Sequence, residues 1–266
     1  MNSIQSTLLG ALQGITEWLP ISSQGQTVLV MLNFMQIDAG TAISVAIFLH
    51  IGTMLAVLIR FRKDFVSMLN RESKMLKIIV VATGSTAITA VPLLFLLLFF
   101  IENLFENGAI ATILTGAIGV MLILTGIILG VQKRAGNSSY RSLDEITTRD
   151  MIFAGLAQGF SILPGISRSG TTITILLMSG IKQELALKLS FLMSVPAVLG
   201  AIVLFDVREV SAIATSDAAI MVLSSLIVGY ITMSILLRFA ERVNFAIFCV
   251  SLGGLTLLLS QHFFFF

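Results

Sequence analysis

Leu163-Pro-Gly-Ile-Ser-Arg-Ser-Gly-Thr-Thr172 is the stretch on which the reading of this chain turns. It joins a Pro-Gly helix breaker to a row of hydroxyls and one arginine. It sits in a 266-residue sequence that is 56% hydrophobic and 11% charged, with a mean hydropathy of +1.01. Ordinary globular domains carry about 25% charged residues, so the composition is that of an all-α polytopic membrane protein. Irregular backbone at membrane depth is tolerated where it is buried in protein or lines a wet cavity. An ionisable residue at that depth marks a functional site. Arg168 is that residue, and its planar fork of donors suits a phosphate or a carboxylate.

Working outward, segments near the roughly 20 apolar residues that span a bilayer occur at 41–59, 78–101, 108–131, 185–205, 217–237 and 244–261. Two further apolar regions are interrupted, 3–36 at Trp18-Leu-Pro-Ile-Ser-Ser23 and 151–181 at the opening stretch. Each predicts two half-length helices around a polar tip, a re-entrant hairpin. The basic residues test this count. Arg60, Arg62, Lys63, Arg71, Lys74 and Lys77 follow the first span, and Lys133, Arg134, Arg141 and Arg149 the third. Lys182 and Lys188 follow the second hairpin, and Arg238 and Arg242 the fifth span. With six spanning helices and two re-entrant hairpins, all of these fall inside under the positive-inside rule. The exception is Arg208, set against Asp206 and Glu209. Both termini and the opening of the site are then expected on the outer face of the cell membrane.

The two hairpins enter from opposite sides, which predicts a repeat. Gln13-Gly14 aligns with Gln158-Gly159, an offset of 145. At that offset Thr16 meets Ser161, Ile21 meets Ile166, Ser22 meets Ser167, Gly25 meets Gly170 and Thr27 meets Thr172. The chain is expected to be one membrane domain, 1–266, with halves 1–131 and 132–266 in an inverted-topology repeat. Such repeats place a site near the bilayer midplane, where half-helix N-termini face an anion. Chance similarity between two Gly/Ser-rich turns is the alternative.

Several classes drop out. The single Cys249 excludes an intrachain disulfide and reads as a small core residue. No cluster has zinc-ligand spacing. The basic loop 60–77 follows from topology, so no nucleic-acid partner is implied. The N-terminus lacks Lys or Arg before its apolar run and is read as retained structure, not a signal peptide.

The second tip offers Ser167, Arg168, Ser169, Gly170, Thr171 and Thr172 where a half-helix starts. Free N–H groups and the helix dipole make an anion site there. The alternative is that the serines cap a helix and Arg168 pairs with Glu17. The first tip offers Gln13, Glu17, Ser22, Ser23, Gln24 and Gln26. Gln13 and Glu17 are four apart and share a helix face. Together they suit Mg²⁺ or Ca²⁺ beside a phosphate. Ser22 or Ser23 suits a nucleophile or a phosphate donor. Glu17 as a simple counter-ion, and Gln13 as packing glue, are the structural readings. His50 lies mid-span, where it either bridges helices or serves as acid or base.

These residues resemble the undecaprenyl-diphosphatase family of the bacitracin-resistance type. Gln13-Gly-Ile-Thr-Glu17 is similar to its (E/Q)-x-x-x-E motif, continued by Trp18-Leu-Pro-Ile-Ser-Ser23. Pro164-Gly-Ile-Ser-Arg-Ser-Gly-Thr-Thr172 is similar to its P-G-x-S-R-S-x-x-T motif. The resemblance implies removal of the terminal phosphate from a polyprenyl diphosphate, regenerating the lipid carrier for cell-envelope glycans, with a divalent cation. It implies catalytic roles for Glu17, Ser23 and Arg168, and a metal at Glu17 and Gln13. Substrate contacts fall to Ser22, Gln26, Ser167, Ser169, Gly170 and Thr172. One departure stands out. Many members have S-S-x-G-H where this chain has Ser22-Ser-Gln-Gly-Gln26, so a histidine relay there is missing. Either Glu17 with a metal activates water or a serine and no histidine is needed, or His50 takes its place; loss of hydrolysis is the third reading. A polyprenyl-phosphate transporter without hydrolysis is the competing class. The partners expected are the lipid, the membrane and, as an open option, further copies of the chain.

Overall fold

The computed structural model describes residues 2–19, 21–104, 119–120, 123–124, 126–127, 130, 140–163, 166–204, 214–242 and 244–262. Two pairs of short helices bracket the broken regions. They are α1 (Ser3–Thr16) with α2 (Ser23–Met35), and α6 (Thr148–Gly159) with α7 (Arg168–Met178). The long helices are α3 (Ala39–Arg60), α5 (Lys74–Leu104), α8 (Gln183–Leu204) and α9 (Thr215–Arg242). Helix α4 (Arg62–Met68) is a short connector, and α10 (Phe245–His262) closes the described chain. Gly40–Arg60, Lys74–Leu96, Gln183–Leu204 and Thr215–Arg238 are long and apolar enough to cross a membrane. This is a helical, multi-pass membrane protein, with no β-strand among the described residues. The segment expected at 108–131 lies mostly outside the described residues, and α10 covers the one expected at 244–261.

Local chemistry sets the helix ends. Asn2 and Gln5 form a capping box on α1, at 2.9 and 3.0 Å. Asp38 accepts the Thr41 N–H at 2.9 Å to start α3. Gln36 takes a left-handed conformation, φ 54°, to end α2. Thr147 and Asp150 cap α6. Asp150 also receives both terminal nitrogens of Arg141, at 3.1 and 2.6 Å. Arg141 donates further to the Ser179 carbonyl at the end of α7, at 3.0 Å. This clasp ties both ends of the second short pair together.

Each short pair is pinned to a long helix by glycines. Gly10 and Gly14 of α1 lie against α9, where an added Cβ would stand 2.5 Å from the Met221 oxygen and 2.6 Å from the Gly229 nitrogen. Gly155 and Gly159 of α6 lie equally close to α5, against Ala82, Ser85, Thr86 and Thr89. Small residues let membrane helices approach closely, and packing substitutes for the missing hydrophobic drive.

Candidate active site

The two tips are built alike. Each needs a hydroxyl to cap the helix that follows the break. Ser22 accepts the Gly25 N–H at 3.1 Å, and Ser167 accepts the Gly170 N–H at 3.1 Å. The tips meet at one carbonyl. The Leu19 oxygen accepts the hydroxyls of Ser167, at 3.1 Å, and Ser169, at 2.7 Å. Trp18 wedges the first tip in place. It is 1% exposed, donates its indole N–H to the Gly229 carbonyl at 2.9 Å, and meets the Phe191 ring edge-on at 5.0 Å.

This docking brings Glu17, buried at 5% exposure, against four side chains from three parts of the chain. Oε1 accepts from Arg168 at 2.8 Å. Oε2 accepts the Ser23 hydroxyl at 2.6 Å and the Gln13 amide at 2.8 Å. His50 Nε2 stands 3.2 Å from the same Oε2. His50 Nδ1 faces the Ala46 carbonyl at 2.7 Å, and a carbonyl only accepts, so Nδ1 carries a proton. Nε2 then faces a carboxylate oxygen, and attraction there requires a second proton shared by the pair. Arg168 is fixed by Glu17 and by the Ser190 carbonyl at 2.9 Å. Among the described residues the rest of its donor fork has no partner, which leaves it for a ligand.

A cavity of about 240 Å³ opens beside this cluster. Glu17, Ser22, Ser23, Gln24, His50, Ser167 and Arg168 line it with polar groups, joined by Thr83, Thr86 and Gln158. Ala87, Ala90 and Val91 of α5 and Pro196, Ala197, Gly200, Ala201 and Leu204 of α8 line it with apolar ones. The cavity therefore puts the charged cluster and the apolar residues of two long helices around one space. Among the residues singled out in the sequence, Gln13, Gln26, Ser169, Gly170 and Thr172 do not line it. Ser169 and Gly170 are spent on the tip itself. Thr172 is fully buried against Ser190, hydroxyl to hydroxyl at 2.6 Å, and donates no contact to the cavity.

The donor set is a poor match to a protein-held divalent cation. Both Glu17 oxygens are engaged, Gln13 turns its N–H₂ and not its oxygen toward them, and no group of three His, Cys, Asp or Glu converges among the described residues. The free Gln13 oxygen is buried without a partner and lies off the cavity. Two participants escaped sequence reading. Gln158 lines the cavity and is held by Thr86 at 3.0 Å; its alignment with Gln13 in the repeat was the signal. Ser190 holds Arg168 through its carbonyl, and nothing in Lys188-Leu-Ser-Phe191 announces it.

The chain is similar to proteins named undecaprenyl-diphosphatase. One from Methanothrix thermoacetophila is 51% identical over 262 residues, 98% of each chain. One from Methanopyrus kandleri is 38% identical, over 95% of this chain and 94% of that protein. One from Methanococcoides burtonii is 36% identical, over 96% and 97%. The family model described as bacitracin resistance protein BacA matches residues 6–255. With near-complete coverage by both the family model and these relatives, the chain belongs to the BacA family.

Proposed function

We propose that the chain is a membrane phosphatase that removes the terminal phosphate of a polyprenyl diphosphate, undecaprenyl diphosphate or a close analogue, and so regenerates the monophosphate carrier for envelope glycans. The carrying observation is the Ser23–Glu17–Arg168 cluster on the wall of a cavity that apolar residues of α5 and α8 also line. The diphosphate takes the charged cluster, and the isoprenoid tail leaves between the two long helices.

Each group has a task in this reading. The free donors of Arg168, the helix N-termini at Ser23 and Arg168, and the Ser22 hydroxyl hold the phosphoryl oxygens. Ser23 attacks the terminal phosphorus and its proton passes to Glu17, already in hydrogen-bond contact. The bond from phosphorus to the bridging oxygen breaks, Glu17 returns that proton to the departing oxygen, and polyprenyl monophosphate leaves. Glu17 then takes a proton from the water that attacks the seryl phosphorus and gives it to the Ser23 oxygen as inorganic phosphate is released. His50 steadies Glu17 and exchanges protons with it. Gln26 takes no part, because it lies off the cavity. Ser167, Ser169, Gly170 and Thr172 shape the tip that presents Arg168. A divalent cation enters as the counter-ion of the diphosphate, not as a resident of Glu17 and Gln13.

The wider architecture in this reading is six spans with two re-entrant hairpins, both termini and the site opening on the outer face. The packing supports an inverted repeat. Gly10 meets Met221 as Gly155 meets Ala82, and Gly14 meets Ser225 and Gly229 as Gly159 meets Thr86 and Ala90. The same pairing recurs between each short helix and a long helix of the other half.

The test is phosphate release from a C55 diphosphate by purified protein in detergent, with Mg²⁺, Ca²⁺ or chelator. Release by the wild type, lost in Glu17→Ala and Arg168→Ala, is expected. Folded wild type that releases none across several prenyl lengths, yet moves the carrier between leaflets, would replace this reading with transport.

A further inference from the structure

A second cleft, of about 370 Å³, lies between α3 and α9 and shares no lining residue with the catalytic cavity. Arg60, Tyr230, Ile231, Ser234, Ile235 and Arg238 form it. Arg60 and Arg238 are the last residues of the apolar stretches Gly40–Arg60 and Thr215–Arg238. The two helices run in the same direction, since Leu49 and Gly52 meet Ser225 while Thr53 meets Gly229. Both arginines therefore stand where their helices leave the apolar layer, on one face of the membrane.

Both guanidinium groups are exposed, and neither has a carboxylate partner among the described residues. The Arg60 guanidinium rests over the buried Phe61 ring, 5.4 Å from its centre, which restrains it. Ser234 gives its proton to the Tyr230 carbonyl, at 2.8 Å. Ile231 and Ile235, each 51% exposed, form an apolar stripe one turn apart on the membrane side of Arg238. Two uncompensated cations above an exposed apolar stripe describe an amphiphile with an anionic head. Basic pockets between membrane helices recognise such headgroups. A second copy of the chain would bring like charges together here.

We infer that this cleft binds the phosphate of an anionic phospholipid, with an acyl chain along Ile231 and Ile235. The site does not depend on the phosphatase reading. The experiment is native mass spectrometry of the full chain released from detergent supplemented with phosphatidylglycerol, phosphatidylcholine or inorganic phosphate. Wild type is expected to retain one phosphatidylglycerol under conditions that strip phosphatidylcholine, and to show no phosphate adduct. Arg60→Gln/Arg238→Gln should lower that occupancy at least fivefold. Arg62→Gln/Lys63→Gln, with the same change in charge, should keep it, and Arg60→Lys/Arg238→Lys should retain part of it while confirming that the first pair of changes does not act by unfolding. Equal loss in both Gln pairs would mean diffuse surface attraction and overturn the site. Retention in Arg60→Gln/Arg238→Gln, or an inorganic phosphate adduct that displaces the lipid, would overturn it as well.

Discussion

The two tips share a backbone device and differ in what it carries. In each, a serine caps the helix after the break with the same 3.1 Å bond to an N–H three residues on. The next residue is Ser23 in one and Arg168 in the other. Where the first tip has Glu17, the repeat offset puts Ile162 in the second. In the proposed mechanism the first tip thus holds the nucleophile and its base, and the second holds the cation. Neither is a site alone; the docking of Ser167 and Ser169 on Leu19 makes one.

The sharpest break of this comparison is at Ser23. Ser23→Ala is expected to lower phosphate release by about 10⁴-fold or more, as loss of a nucleophile does, with little change in melting temperature. Ser167→Ala, at the matching turn, should instead cost about 1 kcal/mol of stability through the lost cap. Comparable activity losses in the two would remove the division of labour. Arg168→Ala comes next. Phosphate release should fall about 10²–10³-fold, and the buried Glu17, its Oε1 left without a cation, should cost about 3–5 kcal/mol in denaturant titrations. In Glu17→Gln/Arg168→Gln the loss of stability should be smaller than the sum of the two single changes, by about 0.5–3 kcal/mol.

Gly14→Ala and Gly159→Ala ask whether the two dockings are mechanically alike. Each should cost about 1–3 kcal/mol by overpacking, read as a lowered melting temperature. A tolerated Gly159→Ala beside a damaging Gly14→Ala would make the resemblance superficial. The smallest effect concerns the Arg141–Asp150 clasp, which the first tip lacks. Burial pushes the Asp150 carboxyl up, but Arg141 and the Thr147 N–H and hydroxyl more than reverse this and hold it below its ordinary value. A carboxyl held low stabilises the fold above its unfolded pKa, about 3.9, and that contribution disappears as pH falls through the lower folded value. Arg141→Gln should therefore cost about 1 kcal/mol near pH 7, with the gap to wild type closing below about pH 4. A gap that persists at pH 3 would assign the clasp to the Ser179 contact instead.

Much of this site is legible in one dimension because local rules make it so. The alternative to a free anion site, serines as caps and Arg168 paired with Glu17, rests on such rules, and the structure has both: Ser22 and Ser167 cap helices, and Glu17 and Arg168 are 2.8 Å apart. What stayed hidden depends on contacts between distant segments. His50 is a candidate by its type and place in the first span, but that its ring meets Glu17, held there by the Ala46 carbonyl, is a contact no side-chain pattern reveals. Gln26 looks like a site residue by motif position, yet the turn of α2 carries it off the cavity. The composition made the apolar helices plain, but not that the glycines of α1 seat on α9 and those of α6 on α5.

Trp18 is the sequence's only tryptophan, and it sits at the first tip between the Gly229 carbonyl and the Phe191 ring. Excited beyond the absorption of Tyr140 and Tyr230, the intrinsic ultraviolet emission of the unlabelled protein is therefore a reporter of one place. A red shift or loss of intensity on adding a diphosphate would read the loosening of that wedge directly, in real time, with no dye attached.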